Sequence, residues 1–444
     1  MKSYKFVFYL FLAFFVFSCA DLDELEPVNE IPSDVAINNL QSSEAALAGM
    51  YDMMQDNGLI FDGWLALAQF FSDEANATGT FPTRLEFGNL NVFPANSTAA
   101  GVFSDLYEVI NRANNIIDIV PTITDDAALT DEIKADFVAQ AKFVRAHAYL
   151  HLTTLWRDVP LILTPTKSDE LDGINVPKNT QAEIYAQVVK DFSDARSALL
   201  ETSNEKANAT AATAFLARVN LYQENWAEAL SLAKEVLGDG FDLTAIPYLQ
   251  DVIYKLGFST SDGNTLNFFY GSSDQGGRYS IGPSLELIAA FEPGDLRFAQ
   301  TLDTSSWSVP IGMKYPSFDQ GISGAATDPI YFIRHAEMVL IAAEAAAEMG
   351  DFATASMFFN QVRARAGLDP VTLDASNFVD AILHERFTEF AFEGAFRLID
   401  LRRKGKALEV LGPIGYDECD DVWPLPQRDI DRNVNLKQND CCNC

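Results

Sequence analysis

The residues best equipped for chemistry crowd into one stretch near the C-terminus: Glu385, Arg386, Glu389, Glu393, Arg397, Asp400, Arg402 and Arg403. Glu389 and Glu393 share a helix face, and a pair of carboxylates is what a glycosidase uses as acid and base. The cations point elsewhere. Arg386 precedes Glu389 by three residues and Arg397 follows Glu393 by four, so alternating charges satisfy one another along one helix. Catalytic pairs flank a cleft from different elements, and these sit on one. His147 and His151 have the i, i+4 spacing that can bind zinc, yet no His-Glu-x-x-His pattern accompanies them. Helix packing is the stronger reading. No nucleophile elbow, phosphate loop or dinucleotide fingerprint occurs. The chain reads as a non-enzyme without cofactor or metal.

The cysteines speak of compartment. Lys2 and Lys5 precede an apolar run from Phe6 to Phe17 that ends at Ser18-Cys19, the layout of a secretory signal. That run is far short of the ~20 residues a spanning helix needs. Val16-Phe17-Ser18-Cys19 resembles a bacterial lipobox, which implies that Cys19 is acylated (palmitate among its chains) and becomes the mature N-terminus. The acidic Ala20 to Glu24 that follows resembles the surface-export signal of outer-membrane lipoproteins. In an exported protein, Cys419, Cys441, Cys442 and Cys444 suggest disulfides, with Cys419 joined to one of the three others. Metal binding by Cys-Cys-x-Cys is the alternative, disfavoured by oxidising surroundings.

The totals set limits. Of 444 residues 48% are hydrophobic, enough for a large core, and 63 acidic residues against 31 basic leave a net charge of −32. No basic run could neutralise a phosphate backbone, so nucleic acid is not a partner. The same charge disfavours polyanionic ligands in general.

The elements that must position these residues are mostly helices. Between Tyr331 and Leu368, Ile333, Ala336, Val339, Leu340, Ala343 and Ala347 form one apolar stripe, Gly350 ends it, and Phe352, Ala355, Phe359 and Val362 form a second. Gly-x-Phe-x-x-Ala-x-x-x-Phe resembles a tetratricopeptide unit, and Ala217 to Ala233 repeat it around Asn225 and Trp226. Further helices are expected from Glu44 to Gln55 (capped by Ser43), Leu59 to Phe71, Val102 to Val120, Phe137 to Trp156, Gln181 to Leu200 and Phe378 to Lys404. Residues 76–99 and 257–328 read as loop-rich insertions; in the second, only Ser284 to Phe291 looks helical and Leu266 to Tyr270 looks like a strand. The tail from Tyr416 reads as extended. The expected organisation is a signal peptide over 1–18, an acylated cysteine and acidic tether over 19–40, and one domain over 41–444.

These stretches together resemble the SusD/RagB family of nutrient-binding outer-membrane lipoproteins. AKFVRAHAYLHLTTLWRDVPLI is similar to the family's Arg-Ala-x-x-Tyr helix and Gly-Asp-Val-Pro turn, with Arg157 where glycine is usual. RHAEMVLIAAEA, NQVRARAGL, HERFTEFAFEGAFRLIDLRRKG and WPLPQRDIDRNVNLKQN are similar to its C-terminal signatures, and SLELIAAFEPGDLR and MKYP to its middle. The resemblance implies a mostly all-α fold, with four tetratricopeptide-like helix pairs against a loop-rich region with a few short strands. It implies a lipid-anchored protein on the outer membrane, facing outward. Its partner would be a TonB-dependent (SusC-like) transporter, its cargo an oligosaccharide, or a peptide in some relatives; a pure assembly scaffold is a further reading.

Sugar rings are recognised by flat aromatic faces, with amides and carboxylates as partners for the hydroxyls. In the family, two loop regions supply such aromatics. The candidates here are Trp307 in SSWSVP, which no helical stripe absorbs, then Tyr279 in GGRYS and Phe81 in GTFPTR. Arg84, Asn89, Asp274, Gln275 and Arg278 are the possible polar partners. Residues 76–99 and 257–328 are expected to meet on one surface as a shallow groove.

Overall fold

A computed structural model describes residues 36–166, 175–316 and 326–440. Cys19, Cys441, Cys442 and Cys444, the signal peptide and most of the tether lie outside these residues.

The first helices are α1 (Leu40–Met54) and α2, which is π-helical over Leu59–Ala66 and α-helical over Leu67–Phe70. Strand β1 (Ala75–Ala77) and a short α3 (Pro82–Gly88) follow. Next come the two long helices α4 (Ser97–Ile119) and α5 (Asp131–Trp156), the strands β2 (Val159–Pro160) and β3 (Lys178–Asn179), and α6 (Gln181–Arg196). Helices α7 (Ala209–Tyr222) and α8 (Trp226–Leu237) precede β4 (Val252–Leu256). The irregular segment holds α9 (Leu266–Tyr270), β5 (Ile281–Pro283), α10 (Leu285–Ala290), α11 (Phe298–Thr301), β6 (Leu302–Asp303) and β7 (Ile311–Gly312). The chain closes with β8 (Ile330–Arg334), α12 (His335–Glu348), α13 (Phe352–Arg365), α14 (Phe378–Glu389), α15 (Phe396–Arg403), α16 (Ala407–Leu411) and α17 (Gln427–Arg432).

Helices pack in the pairs α1/α4, α5/α6, α7/α8 and α12/α13, and successive pairs pack on one another. Helix α12 lies deepest. Its Ala342, Ala343, Ala345 and Ala346 are fully buried, and their lack of bulk lets α7, α8, α13 and α14 close around it. Directed polar contacts fix the register. Arg145 of α5 forms a bidentate pair with Asp191 of α6 at 2.8 and 2.9 Å, and the Tyr149 hydroxyl donates to the Ile162 carbonyl. In the tail, Gln438 brackets the backbone of Leu425 with two 2.8 Å bonds. Asn439 donates to the carbonyls of Trp156 and Trp423. Those bonds explain why Gln-Asn closes the C-terminal motif. Among the described residues no helix is long and apolar enough to cross a membrane.

Several local expectations are corrected. Helix α1 begins at Leu40, because Asn39 and Ser42 form a reciprocal capping box ahead of Ser43. The supposed loop over 76–99 contains the end of β1, all of α3 and the start of α4, with Pro82 at the first helical position of α3. Leu266–Tyr270 is a helical turn and no strand, since Asn264 caps Leu266 N–H and the Thr265 carbonyl accepts from Phe268 and Phe269. The irregular segment also carries the one-turn α11. The span 378–404 is two helices. Phe392 and Gly394 have φ of +65° and +118°, and Phe392 N–H turns out of the helix to bond the Glu74 carboxyl at 2.7 Å. The tail likewise contains a 3₁₀ turn over Glu418–Asp421 and α17.

Candidate functional site

Packing alone does not explain the charge cluster on α14 and α15, for its side chains are buried and pair across elements. Glu389 meets Arg297, Arg334 and Arg365; Glu393 meets Lys314 and Arg334; Arg386 meets Asp400; Arg397 meets Asp73. Charge neutralisation along one helix is therefore overturned: the break at Phe392 turns Glu393 and Arg397 toward other partners. Burial drives the Glu385 carboxyl up from its ordinary range, against Arg297 and Arg363. Burial also opposes ionisation of Glu389, but Arg365, Arg334 and Arg297 prevail and hold it low. Such a split would suit an acid–base pair, yet both residues are fully buried with no cleft between them. The network braces the fold.

His147 and His151 do the same on α5. The His147 ring stacks on Trp64 with planes 5° apart, and His151 Nε2 lies 2.8 Å from the Gly63 carbonyl. Burial lowers both imidazoles, His151 to about 4, so both stay neutral at physiological pH. No group of metal-ligating side chains occurs among the described residues.

The loop candidates come together around a two-stranded ribbon. β1 pairs antiparallel with β5 through Ala75↔Pro283, Asn76↔Gly282 and Ala77↔Ile281, and Thr78 N–H extends the ladder to the Ser280 carbonyl. This joins the two helix-poor segments. Phe81, 45% exposed at the start of α3, is flanked by Arg84 at 5.0 Å and Arg278 at 5.4 Å from its centroid. Arg84 is held from below by a bidentate pair with Asp62 at 2.7 and 2.8 Å. It also covers Phe61 and Phe269, which stack on each other at 4.3 Å.

The loop that carries Arg278 and Tyr279 is tightly built. A Cβ on Gly277 would come within 2.2 Å of the Gly271 carbonyl oxygen, so only glycine fits. Arg278, Tyr279 and Ser280 each donate a backbone bond to Phe268, Gly271 and Phe269. The half-buried Tyr279 lies against Gly282, and its hydroxyl donates to the Pro310 carbonyl at 2.9 Å. Trp307 stands in the β6–β7 connection, 37% exposed. That connection is pinned by Asp303, which accepts from Ser305 and Ser306 N–H, and by Asp274, which accepts from Ser308 N–H.

Several candidates are already bonded within the protein. Arg84 is committed to Asp62, Asp274 to the Trp307 loop, and Gln275 to a capping box with Ser272. Asn89 is exposed but sits at the far end of α3, about 12 Å along the helix from Phe81. Phe81, Arg278 and Trp307 are exposed at this surface, and Tyr279 is half-buried beside them. Sequence reasoning missed Asp62 and Ser280. A lone carboxylate in the apolar run Leu59 to Phe71 was a legible signal for Asp62, since a buried charge needs a partner. Nothing in the sequence marked Ser280.

A small niche opens between Phe81, Arg84, Arg278 and Ser280. Larger hollows lie elsewhere: about 490 Å³ beside Trp64 and His147, 820 Å³ between α4 and the tail, and 1530 Å³ among acidic residues of α1 and α5. Size does not decide here. Only the small niche, of these four, joins the two irregular segments and their exposed aromatic rings.

A model of the SusD family matches residues 299–421, and another, described as starch-binding and associating with the outer membrane, matches residues 26–221. SusD-like protein P2 of Formosa agariphila is 27% identical, over 99% of this chain and 99% of that protein. Among solved structures, a SusD superfamily protein from Bacteroides vulgatus superposes with a TM-score of 0.80 at 20% identity, covering 90% of this chain and 98% of that one. A laminarin-binding SusD-like protein superposes at 0.78 and 22% identity, covering 91% and 100%. These two likenesses establish the fold.

Proposed function

The chain belongs to the SusD-like family, and from that premise we propose that it is a non-enzymatic lipoprotein that binds an oligosaccharide and delivers it to a TonB-dependent outer-membrane transporter. The observation that carries the reading is the surface where the two irregular segments join. Exposed Phe81 and Trp307 flank a loop in which Gln275 through Ser280 each donate a backbone bond, so the rings stand on a well-held backbone. Rigid aromatic faces suit the apolar faces of sugar rings and lose little conformational entropy on binding. A shallow surface would suit a ligand that must be passed on, because tight enclosure slows release. Outer-membrane association accords with the family's description, and Cys19 is the residue proposed to carry the lipid. Residues 19–40 would be its tether and 41–444 its single domain.

Titration of Trp307→Ala against a panel of oligosaccharides tests this. Loss of one stacking anchor should weaken binding by about 1–3 kcal/mol while leaving the melting temperature unchanged. Unaltered affinity for every glycan bound by the parent protein would remove Trp307 from the site. Binding of peptides in place of glycans would overturn the choice of cargo.

A further inference from the structure

We infer that the niche between Phe81 and Arg278 receives an anionic substituent of the ligand, a carboxylate or a sulfate ester. This rests on the glycan-binding reading and narrows it to acidic glycans.

Two groups facing the niche lack the partners their chemistry calls for. Ser280 is only 3% exposed, and its hydroxyl makes no hydrogen bond. A buried hydroxyl left unpaired is unfavourable, so this one is poised for an acceptor arriving from outside. Arg278 is exposed and forms no ion pair among the described residues; its guanidinium lies over the Phe81 ring. That isolation stands out in a chain where Arg84, Arg145, Arg218, Arg334 and Arg397 each grip a carboxylate.

The carboxylates of the same surface are already engaged. Asp62 holds Arg84, Asp274 holds Ser308 N–H, and Asp303 holds two serine N–H groups. Arg278 is also held in place before any ligand arrives. Its backbone N–H donates to the Phe268 carbonyl at 2.7 Å, Gly277 locks the turn before it, and its guanidinium carbon lies 5.4 Å from the Phe81 ring centroid. A guanidinium with free N–H donors matches the paired oxygens of a carboxylate or sulfate ester. The niche is small, so a single anionic group would meet Arg278 at its mouth, and no whole sugar would enter it. The net charge of −32 does not forbid this, since repulsion between exposed charges is screened beyond ~8 Å at physiological salt.

The test uses the full chain, extracted in mild detergent, with four probes in matched pairs. These are oligogalacturonate and its methyl ester, and a sulfated galactan oligosaccharide and its desulfated twin. At least one acidic member should bind about ten-fold tighter than its neutral twin. Arg278→Gln should abolish that preference, Arg278→Lys should keep part of it, and Ser280→Ala should reduce it several-fold. The pair that shows the preference identifies carboxylate or sulfate as the group read. Circular dichroism of each variant confirms folding; Arg278 is exposed, so its variants should melt with the parent. Equal binding of acidic and neutral twins overturns this inference and leaves glycan binding standing. So does a preference that survives in Arg278→Gln. Failure of all four probes alongside binding of a glutamate-rich peptide would overturn the glycan reading itself.

Discussion

Replacing Glu74 with glutamine should make the protein more stable at pH 8 and leave it nearly unchanged at pH 5. Glu74 is almost fully buried just before β1, where its carboxyl accepts from Phe392 N–H and so ties the β1–β5 ribbon to the break between α14 and α15. Burial pushes its pKa up from 4.5 to about 8, although Phe392 N–H, Lys314 and Arg397 work in the opposite direction. A carboxyl whose folded pKa is raised binds more protons folded than unfolded between those two values. Stability therefore falls as pH rises through that window. At pH 7.5 the penalty for holding this proton, or for ionising in place, is on the order of 4 kcal/mol, three pH units above the unfolded value at 1.36 kcal/mol each. Glutamine keeps the acceptor for Phe392 and does not titrate. For a chain of this length, about 2 cal/mol/K per residue makes 1 kcal/mol worth roughly 1 °C. Differential scanning calorimetry of both proteins from pH 5 to 8.5 should show Glu74→Gln gaining about 4 °C on the parent across the range. Because only the difference is read, other titrating groups cancel. A difference that stays flat with pH, or a variant that melts lower at pH 8, would refute the reasoning.

Other outcomes can be stated briefly. Arg157 ends α5 at φ +63° and ψ −84°, a γ-turn region that strains any residue with a Cβ. Arg157→Gly should raise stability by about 1 kcal/mol in chemical denaturation, and a loss would show that its side chain does more than its backbone. Cys419 is disulfide-bonded, and every other cysteine lies outside the described residues. Mass mapping of the unreduced protein should pair it with Cys441, Cys442 or Cys444, and closure of that loop should contribute roughly 3 kcal/mol. Cys19→Ala should release the protein from membranes; a variant still membrane-bound and lipid-labelled would sink the lipobox reading.

The sequence by itself determined the helical architecture. Periodic stripes such as Ile333, Ala336, Leu340, Ala343 and Ala347 depend only on local spacing, and caps at Gly350 and Asp351 mark their ends within a few residues. Several motifs make sense in the fold: Arg145 needs Asp191, and Gln438 needs the backbone of Leu425. Tertiary structure decided what local spacing cannot encode. Arg386 and Glu389 look like partners at i, i+3, but in a buried setting each takes the charge with the best geometry, wherever the chain has brought it. Leu266–Tyr270 has a strand's composition, yet Asn264 and Thr265 close it into a turn that lays Phe269 on Phe61. The candidate site is a product of long-range pairing in the same way. Asn76 meets Gly282 across a gap of some two hundred residues, and only that ribbon brings Phe81 beneath Arg278 and leaves the Ser280 hydroxyl without a partner. No periodicity announces such a contact, because it is made by the one register in which two irregular segments satisfy each other's backbone.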